Sequence, residues 1–408
     1  MSALRPNVII IGSGHYVTGT IDGHDAQTDK DSGVFLPSIL ALREQGLVGQ
    51  VWVVGRRGTE TRRAVERSAS RLGFNAESVL TLPEAGETDE DAYAEALDRL
   101  PKPLIALIAT PDHTHRKVME ACIGASVPFL IVKPALRNLD AHYTIVQRME
   151  TAKSFGLVDF HKIYDDANAL IQQHLVNQSL GDLYTILAIH TQRRVMRSAY
   201  SRWRQVDSEL NVFDYLGSHS VHMINHWTGA RPTGVRASES STAEEDAPDD
   251  MIRAIVTWKL PNDRPFESIH IVGWCDSNES LSMSDQRFVV WGSQGRIESD
   301  QGRRGIEISV SGEPTQSPNP HFFATSPRPG LSNSLDGKYG FESVKTFVRA
   351  ATMHLAGQPQ ICMNNAPTIQ SMGPITAVLE AAALSRTNGG KFVQILMREE
   401  QYSVHCLE

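Results

Sequence analysis

Lys133 closes the apolar run Phe129-Leu130-Ile131 in the tripeptide Val132-Lys133-Pro134. A lysine where a buried parallel strand stops is held on a rigid element, at the sheet edge where α/β proteins bind ligands. Further along, Asp214, Tyr215, His219, His222 and His226 crowd one short stretch. On a helix, Tyr215, His219 and His222 share a face at i, i+4 and i+7. A histidine titrates near neutral pH and can take the proton of an alcohol. A lysine ammonium beside the same oxygen stabilises developing negative charge or relays the proton. Lys133 with one of these histidines therefore reads as proton-handling chemistry. Metal binding by His219, His222 and His226 is the alternative. No carboxylate or cysteine is spaced to complete such a site, so no metal is expected.

Alcohol oxidation also needs a hydride acceptor, and the N-terminus offers a place for one. Gly12-Ser13-Gly14 follows the strand Asn7–Ile11, where glycines let a backbone approach a pyrophosphate. Val17 stands where a third glycine would be, and Thr18-Gly19 and a polar stretch from Asp22 to Asp31 follow. The expected cofactor contacts are Gly12, Ser13, Gly14 and Tyr16 in this loop, with Thr110, Pro111, His115 and Lys133 farther on. The second strand ends Val53-Val54-Gly55-Arg56-Arg57 without the acid that binds a ribose 2′-hydroxyl. Guanidinium forks suit a 2′-phosphate instead. NADP is expected through Arg56 and Arg57, with NAD possible.

Asp159-Phe160-His161-Lys162 ends the last strand of this region, so His161 and Lys162 are candidates for substrate hydroxyls. Trp203, after Arg193-Arg194, could give a sugar a flat apolar face, and His222 is a further substrate candidate; core or structural roles are the plainer alternatives for both.

The elements that must position these residues fall into two grammars. Up to about residue 160, strands and helices alternate: 7–11, 35–43, 50–54, 59–72, 104–109, 115–123, 129–132, 139–155 and 157–160. That spacing predicts a doubly wound parallel sheet. Beyond it come a helix over 164–178, a strand over 183–189, and apolar runs at 251–260, 266–274 and 287–291 separated by turn residues. Helical patterns return at 340–355 and 368–385. The expected fold is an α/β Rossmann domain, residues 1–160, followed by an α+β domain, 161–408, with a large, mostly antiparallel sheet read as a meander. A C-terminal helix is expected to pack back on the first domain. Residues 238–250 and 312–334 read as surface loops.

Composition excludes several classes. The 408 residues are 41% hydrophobic and 21% charged, ordinary for a soluble globular chain. A net charge of −8 gives no basic footprint for nucleic acid. No apolar stretch approaches the roughly 20 residues of a membrane helix. Residues 1–7 do not read as a secretory signal, and four cysteines stand without a CxxC. A reduced, cytoplasmic protein is expected.

Three stretches together resemble the glucose-fructose oxidoreductase/inositol dehydrogenase/MocA family. They are Gly12-Ser13-Gly14; Ala109-Thr110-Pro111-Asp112-His113-Thr114-His115 with the later Val132-Lys133-Pro134; and Tyr215-Leu216-Gly217-Ser218-His219-Ser220-Val221-His222 with Trp227-Thr228-Gly229-Ala230. Gly292-Ser293-Gln294-Gly295-Arg296 is similar to a common turn of the family's sheet domain. Val132 departs from the family's Glu-Lys-Pro. Asp214 lies five residues before His219 where the family often has Asp four before, and His222 replaces a common Asp. The resemblance implies a dehydrogenase of a sugar, cyclitol or similar polyol, with Lys133 as the family's lysine, His219 as its acid/base, and Tyr215 or Asp214 assisting. It also implies a homo-oligomer formed through the C-terminal sheet. Two other classes stay open on the same scaffold: a glycoside-cleaving enzyme with a retained, recycled dinucleotide, and a non-catalytic sugar or dinucleotide sensor.

Overall fold

The computed structural model describes residues 4–21, 24–25, 32–197, 206–241, 251–312, 315–323, 335–358 and 366–407. Trp203 and much of the two expected loops lie outside them. The chain divides into two compact units.

The first unit comprises residues 1–135, 143–161 and 321–369. Its strands are β1 (Asn7–Ile11), a short hairpin of β2 (Thr20–Ile21) and β3 (His24–Asp25), β4 (Val51–Val54), β5 (Leu80–Leu82), β6 (Leu104–Ile108), β7 (Phe129–Val132) and β8 (Gly156–Asp159). Apart from the hairpin they form one parallel sheet in the order β5-β4-β1-β6-β7-β8. Counting its six strands in chain order, this is 3-2-1-4-5-6, the Rossmann arrangement, with the reversal between β1 and β6. The strands are near-continuous apolar runs because helices cover both faces: Val8 to Ile11 and Leu104 to Ile108 are all buried. The helix Gly58–Leu72 is amphipathic, burying Thr61, Ala64, Val65, Ser68 and Ala69 and exposing its arginines. Gly156 starts β8 directly over the Phe129 ring, where a Cβ would come within 2.6 Å. The expected Rossmann-like sheet is present.

The second unit comprises residues 136–142, 162–320 and 370–408. Its strands are β9 (Leu183–Arg193), β10 (Arg231–Ser240), β11 (Met251–Lys259), β12 (Pro265–Asp276), β13 (Ser284–Gly292), β14 (Gly295–Asp300), β15 (Val393–Arg398) and β16 (Gln401–Cys406). They form one sheet in the order β14-β13-β9-β12-β11-β10-β15-β16. It is mostly antiparallel, as expected, but it is not a meander. β9 inserts between β12 and β13, pairing parallel with the first and antiparallel with the second. Strand period and turn residues are local signals, whereas the neighbour a strand takes is decided by long-range packing. Four strands of this sheet were not foreseen: β10, whose last residues 238–240 were read as loop, β14 after the turn at 292–295, and β15 and β16 after the helix Gly373–Thr387. No helix among the described residues is long and apolar enough to cross a membrane.

Candidate active site

In the first unit the switch point is built from the ends of β1, β4, β6 and β7. Gly12 takes φ +113°, and a Cβ there would lie 2.2 Å from the Ala109 carbonyl oxygen, so only glycine lets the loop cross the end of β6. A Cβ on Gly14 meets nothing within 4 Å, which leaves the loop open on that side. Ser13 packs beside Gly55 and Thr61 at the end of β4, tying the loop to the base of the next helix. Arg56 is 58% exposed and pairs with Glu90 at 3.3 Å, while Arg57 pairs with Glu60 at 3.7 Å. Both guanidiniums sit in the turn after β4, on the wet side of the loop.

Past β6, the Thr114 hydroxyl donates to the Pro111 carbonyl at 2.7 Å and lies 2.8 Å from Thr110 Oγ1, from which it can accept, closing that turn. His115 is fully buried, with Nδ1 2.9 Å from the Pro134 carbonyl and Nε2 2.9 Å from the Thr110 carbonyl. Its ring stitches the turn after β6 to the turn after β7, a positioning task rather than an open contact surface. Lys133 follows β7, half-buried, and its peptide bond to Pro134 is cis.

At the end of β8 the structure gathers residues the sequence left apart. Tyr16 donates its hydroxyl to Asp159 at 2.5 Å, and Ser343 donates to the other carboxylate oxygen at 2.6 Å. His161 Nδ1 lies 3.2 Å from the Tyr16 oxygen, and its ring packs among Phe322, Tyr339 and Tyr16. Burial alone would push the Asp159 carboxyl up; the bond and charge of His161, with the Ser343 and Tyr16 hydroxyls, outweigh it and hold the group below the usual carboxylate range.

In the second unit, His219 and His222 lie in the helix Ser218–Thr228, which follows a π-helical turn over Phe213–Gly217. Asn211 organises that turn: its side-chain oxygen accepts from the Phe213 and Asp214 amides, and its amide nitrogen donates to Asp214 at 2.6 Å. A π turn closes its hydrogen bonds over five residues, so Asp214, five before His219, lies one such turn before it. The Asp214 carboxylate is buried, 3.7 Å from Arg137. Tyr215 packs on Trp274 with ring centres 6.0 Å apart. The simple single-face arrangement of Tyr215, His219 and His222 is thus altered by the wider turn.

His219 is buried, and its ring centre is 5.8 Å from that of His190 on β9. From His190 a hydrogen-bonded row crosses the sheet. Its Nε2 is 3.2 Å from Ser284 Oγ, Gln286 donates to Ser284 at 3.0 Å, and Lys162 donates to Gln286. Lys162 is accordingly a buried, engaged cation. His270 on β12 sits between Ser220 and Ser268, 2.7 Å from each, and so pins the helix of His219 to the sheet. Burial depresses its pKa to about 3. His222 stacks on His226 at 5.9 Å, and burial, then the His226 charge, holds it well below the ordinary histidine value. His190, Ser284, Gln286, Asp159 and Ser343 were not singled out in the sequence. The only trace is their alternation or position at strand ends.

No curated protein matches the chain in sequence. Residues 169–298 match the GFO/IDH/MocA C-terminal domain. Among solved structures, an inositol dehydrogenase homologue from Azotobacter vinelandii, complexed with NADH and myo-inositol, is similar over 96% of this chain and 98% of its own, at 16% identity and a TM-score of 0.70. Scyllo-inositol dehydrogenase from Lactobacillus casei, with bound NAD(H) and scyllo-inositol, is similar over 96% and 99%, at 12% identity and 0.68. GenD2 from gentamicin A biosynthesis, in complex with NAD, is similar over 97% and 98%, at 17% identity and 0.67. At such identities the likeness carries the fold.

Proposed function

We propose that this chain, whose residues 169–298 match the GFO/IDH/MocA C-terminal domain, belongs to the Gfo/Idh/MocA family and is a nicotinamide-dependent dehydrogenase of a sugar, cyclitol or related polyol. The observation that carries this reading is the switch-point loop: Gly12 pressed on Ala109, Gly14 open, and Lys133 ending the next strand but one. The solved relatives bound to NADH or NAD(H) with inositols support it.

In this reading residues 1–160 hold the cofactor and the remainder binds substrate. Gly12, Ser13 and Gly14 would take the pyrophosphate, with Tyr16 in the same loop. Thr110 and Pro111 would run along the cofactor, and His115 holds that turn. Arg56 and Arg57 would leave Glu90 and Glu60 for a 2′-phosphate, which favours NADP, with NAD as the other form. When bound, the nicotinamide accepts the hydride. The Lys133 ammonium stabilises charge developing on the carbinol oxygen, and His219 takes the hydroxyl proton. Asp214 orients the helix of His219 from one turn earlier, with Tyr215 beside it. His161, Lys162 and His222 are the substrate-side polar groups.

The chain is further read as a cytoplasmic homo-oligomer built through the second sheet, whose outer face carries Ile255 directly opposite Ile269, each about two-fifths exposed. The test is a panel of sugars and polyols with NADP⁺ and NAD⁺, followed by nicotinamide absorbance. Turnover with a secondary alcohol supports the reading. A dinucleotide that co-purifies and never turns over would move it to the glycoside-cleaving class.

A further inference from the structure

We propose that Asp159, Tyr16 and His161 form a relay that fixes the His161 ring with its proton on Nδ1 and ties the glycine loop to the end of β8 through one buried carboxylate. Tyr16 has a single O–H, and its nearer acceptor is Asp159 at 2.5 Å rather than His161 at 3.2 Å. Asp159 is 1% exposed and already accepts from Ser343 at 2.6 Å, so two hydroxyl donors converge on it. Such convergence favours the ionised form, which can only accept. With its proton directed to Asp159, the Tyr16 oxygen has only lone pairs for His161, and Nδ1 must be the donor. His161 Nδ1 also stands 3.9 Å from the second Asp159 oxygen, close enough for the carboxylate to favour a proton there. The carboxylate thus acts on the imidazole through a phenol, and the ring is held in place by Phe322 and Tyr339, with centres 4.9 and 5.7 Å away.

Two consequences follow. Tyr16 lies two residues past Gly14, so the loop that would meet a dinucleotide and the ring beside the strand end are set by the same group. In its neutral form, the ring with its proton on Nδ1 carries a lone pair on Nε2. That form accepts a hydrogen bond from a hydroxyl group, which makes His161 selective for a substrate that donates there; this part rests on the dehydrogenase reading above.

The relay is tested on the full chain labelled with ¹⁵N-histidine. Long-range ¹H–¹⁵N spectra identify the His161 ring by its loss in His161→Gln. The expected result is the Nδ1–H tautomer in the parent protein, lost or averaged in Tyr16→Phe and Asp159→Asn. Tyr16→Phe keeps the ring volume, and its far-ultraviolet circular dichroism and unfolding midpoint report whether it folds. The Nε2–H tautomer in the parent protein, or an unchanged tautomer in both folded variants, would overturn the relay. With the polyol that turns over in the panel, His161→Gln is expected to raise KM about tenfold with a smaller change in kcat, the loss of one hydrogen bond. An unchanged KM would remove the hydroxyl-accepting role. Absence of any turnover in the parent protein sinks the dehydrogenase reading instead, while the spectra still decide the relay.

Discussion

Lys133 and His219 are the residues on which the proposed chemistry turns, and they come from different units of the fold. Lys133→Ala and His219→Ala should each lower kcat by about 10²- to 10⁴-fold, the range of one positioned acid–base group. His219→Ala should leave NADPH affinity, read by its fluorescence, nearly unchanged. Full turnover in either variant would end the assignment. At the end of β4 the prediction is one of specificity. Arg56→Ala with Arg57→Ala should cut the NADP/NAD preference in kcat/KM by about tenfold or more, since guanidinium–phosphate bonds are charge-assisted. An unmoved ratio would leave those arginines to Glu90 and Glu60 alone. At this scale the sequence exposed residue types that could do chemistry, and the structure supplied their partners. His115 proves committed to two backbone carbonyls, and Asp159, silent in the sequence, becomes the centre of a polar cluster.

At the scale of elements, the glycine loop and the π turn are where local backbone sets the site. Gly12→Ala must bring a Cβ to 2.2 Å from a backbone oxygen at φ +113°, a strain of about 1–3 kcal/mol or more. Dinucleotide affinity should fall at least tenfold, measured by fluorescence titration; wild-type affinity in a folded variant would contradict the loop's role. Five of the six parallel strands of the first sheet were readable because each is a short apolar run bounded by glycine, proline or polar residues; the three-residue β5 at the sheet edge was not. The π turn was not readable. Asn211 capping its start and the wider hydrogen-bond spacing depend on how the following helix seats on the sheet, where Ser220 meets His270. β15 and β16 escaped notice because their residues do not alternate cleanly, and they add to the sheet edge through β10.

For the molecule as a whole, buried histidines make acid the stress to test. His270 has a folded pKa of about 3 and His142 about 4, both depressed by burial from an ordinary value near 6.5. Between those limits the unfolded chain binds protons that the folded chain refuses. The stability of the neutral rings is therefore fully present above about pH 6.5 and drains as pH falls toward 4 and then 3, by roughly 1.4 kcal/mol per pH unit for each ring. Denaturant midpoints at pH 7.5 and pH 5 should show the loss, and His270→Gln should flatten the slope; a pH-independent midpoint would refute it. On the outer sheet face, Ile255→Asp with Ile269→Asp should lower the mass seen by light scattering if that face joins subunits, and an unchanged oligomer would place the contact elsewhere. The sequence by itself determined the class of fold, the place of the glycine loop and the candidate lysine and histidine, because strand period, glycine and charge at strand ends are local properties of the chain. Tertiary structure alone decided that β9 enters between β12 and β13, that the His161 ring answers to Asp159 through Tyr16, and that His219 stands beside His190. Those are contacts between residues far apart in the chain, chosen by packing and by the need to satisfy buried polar groups.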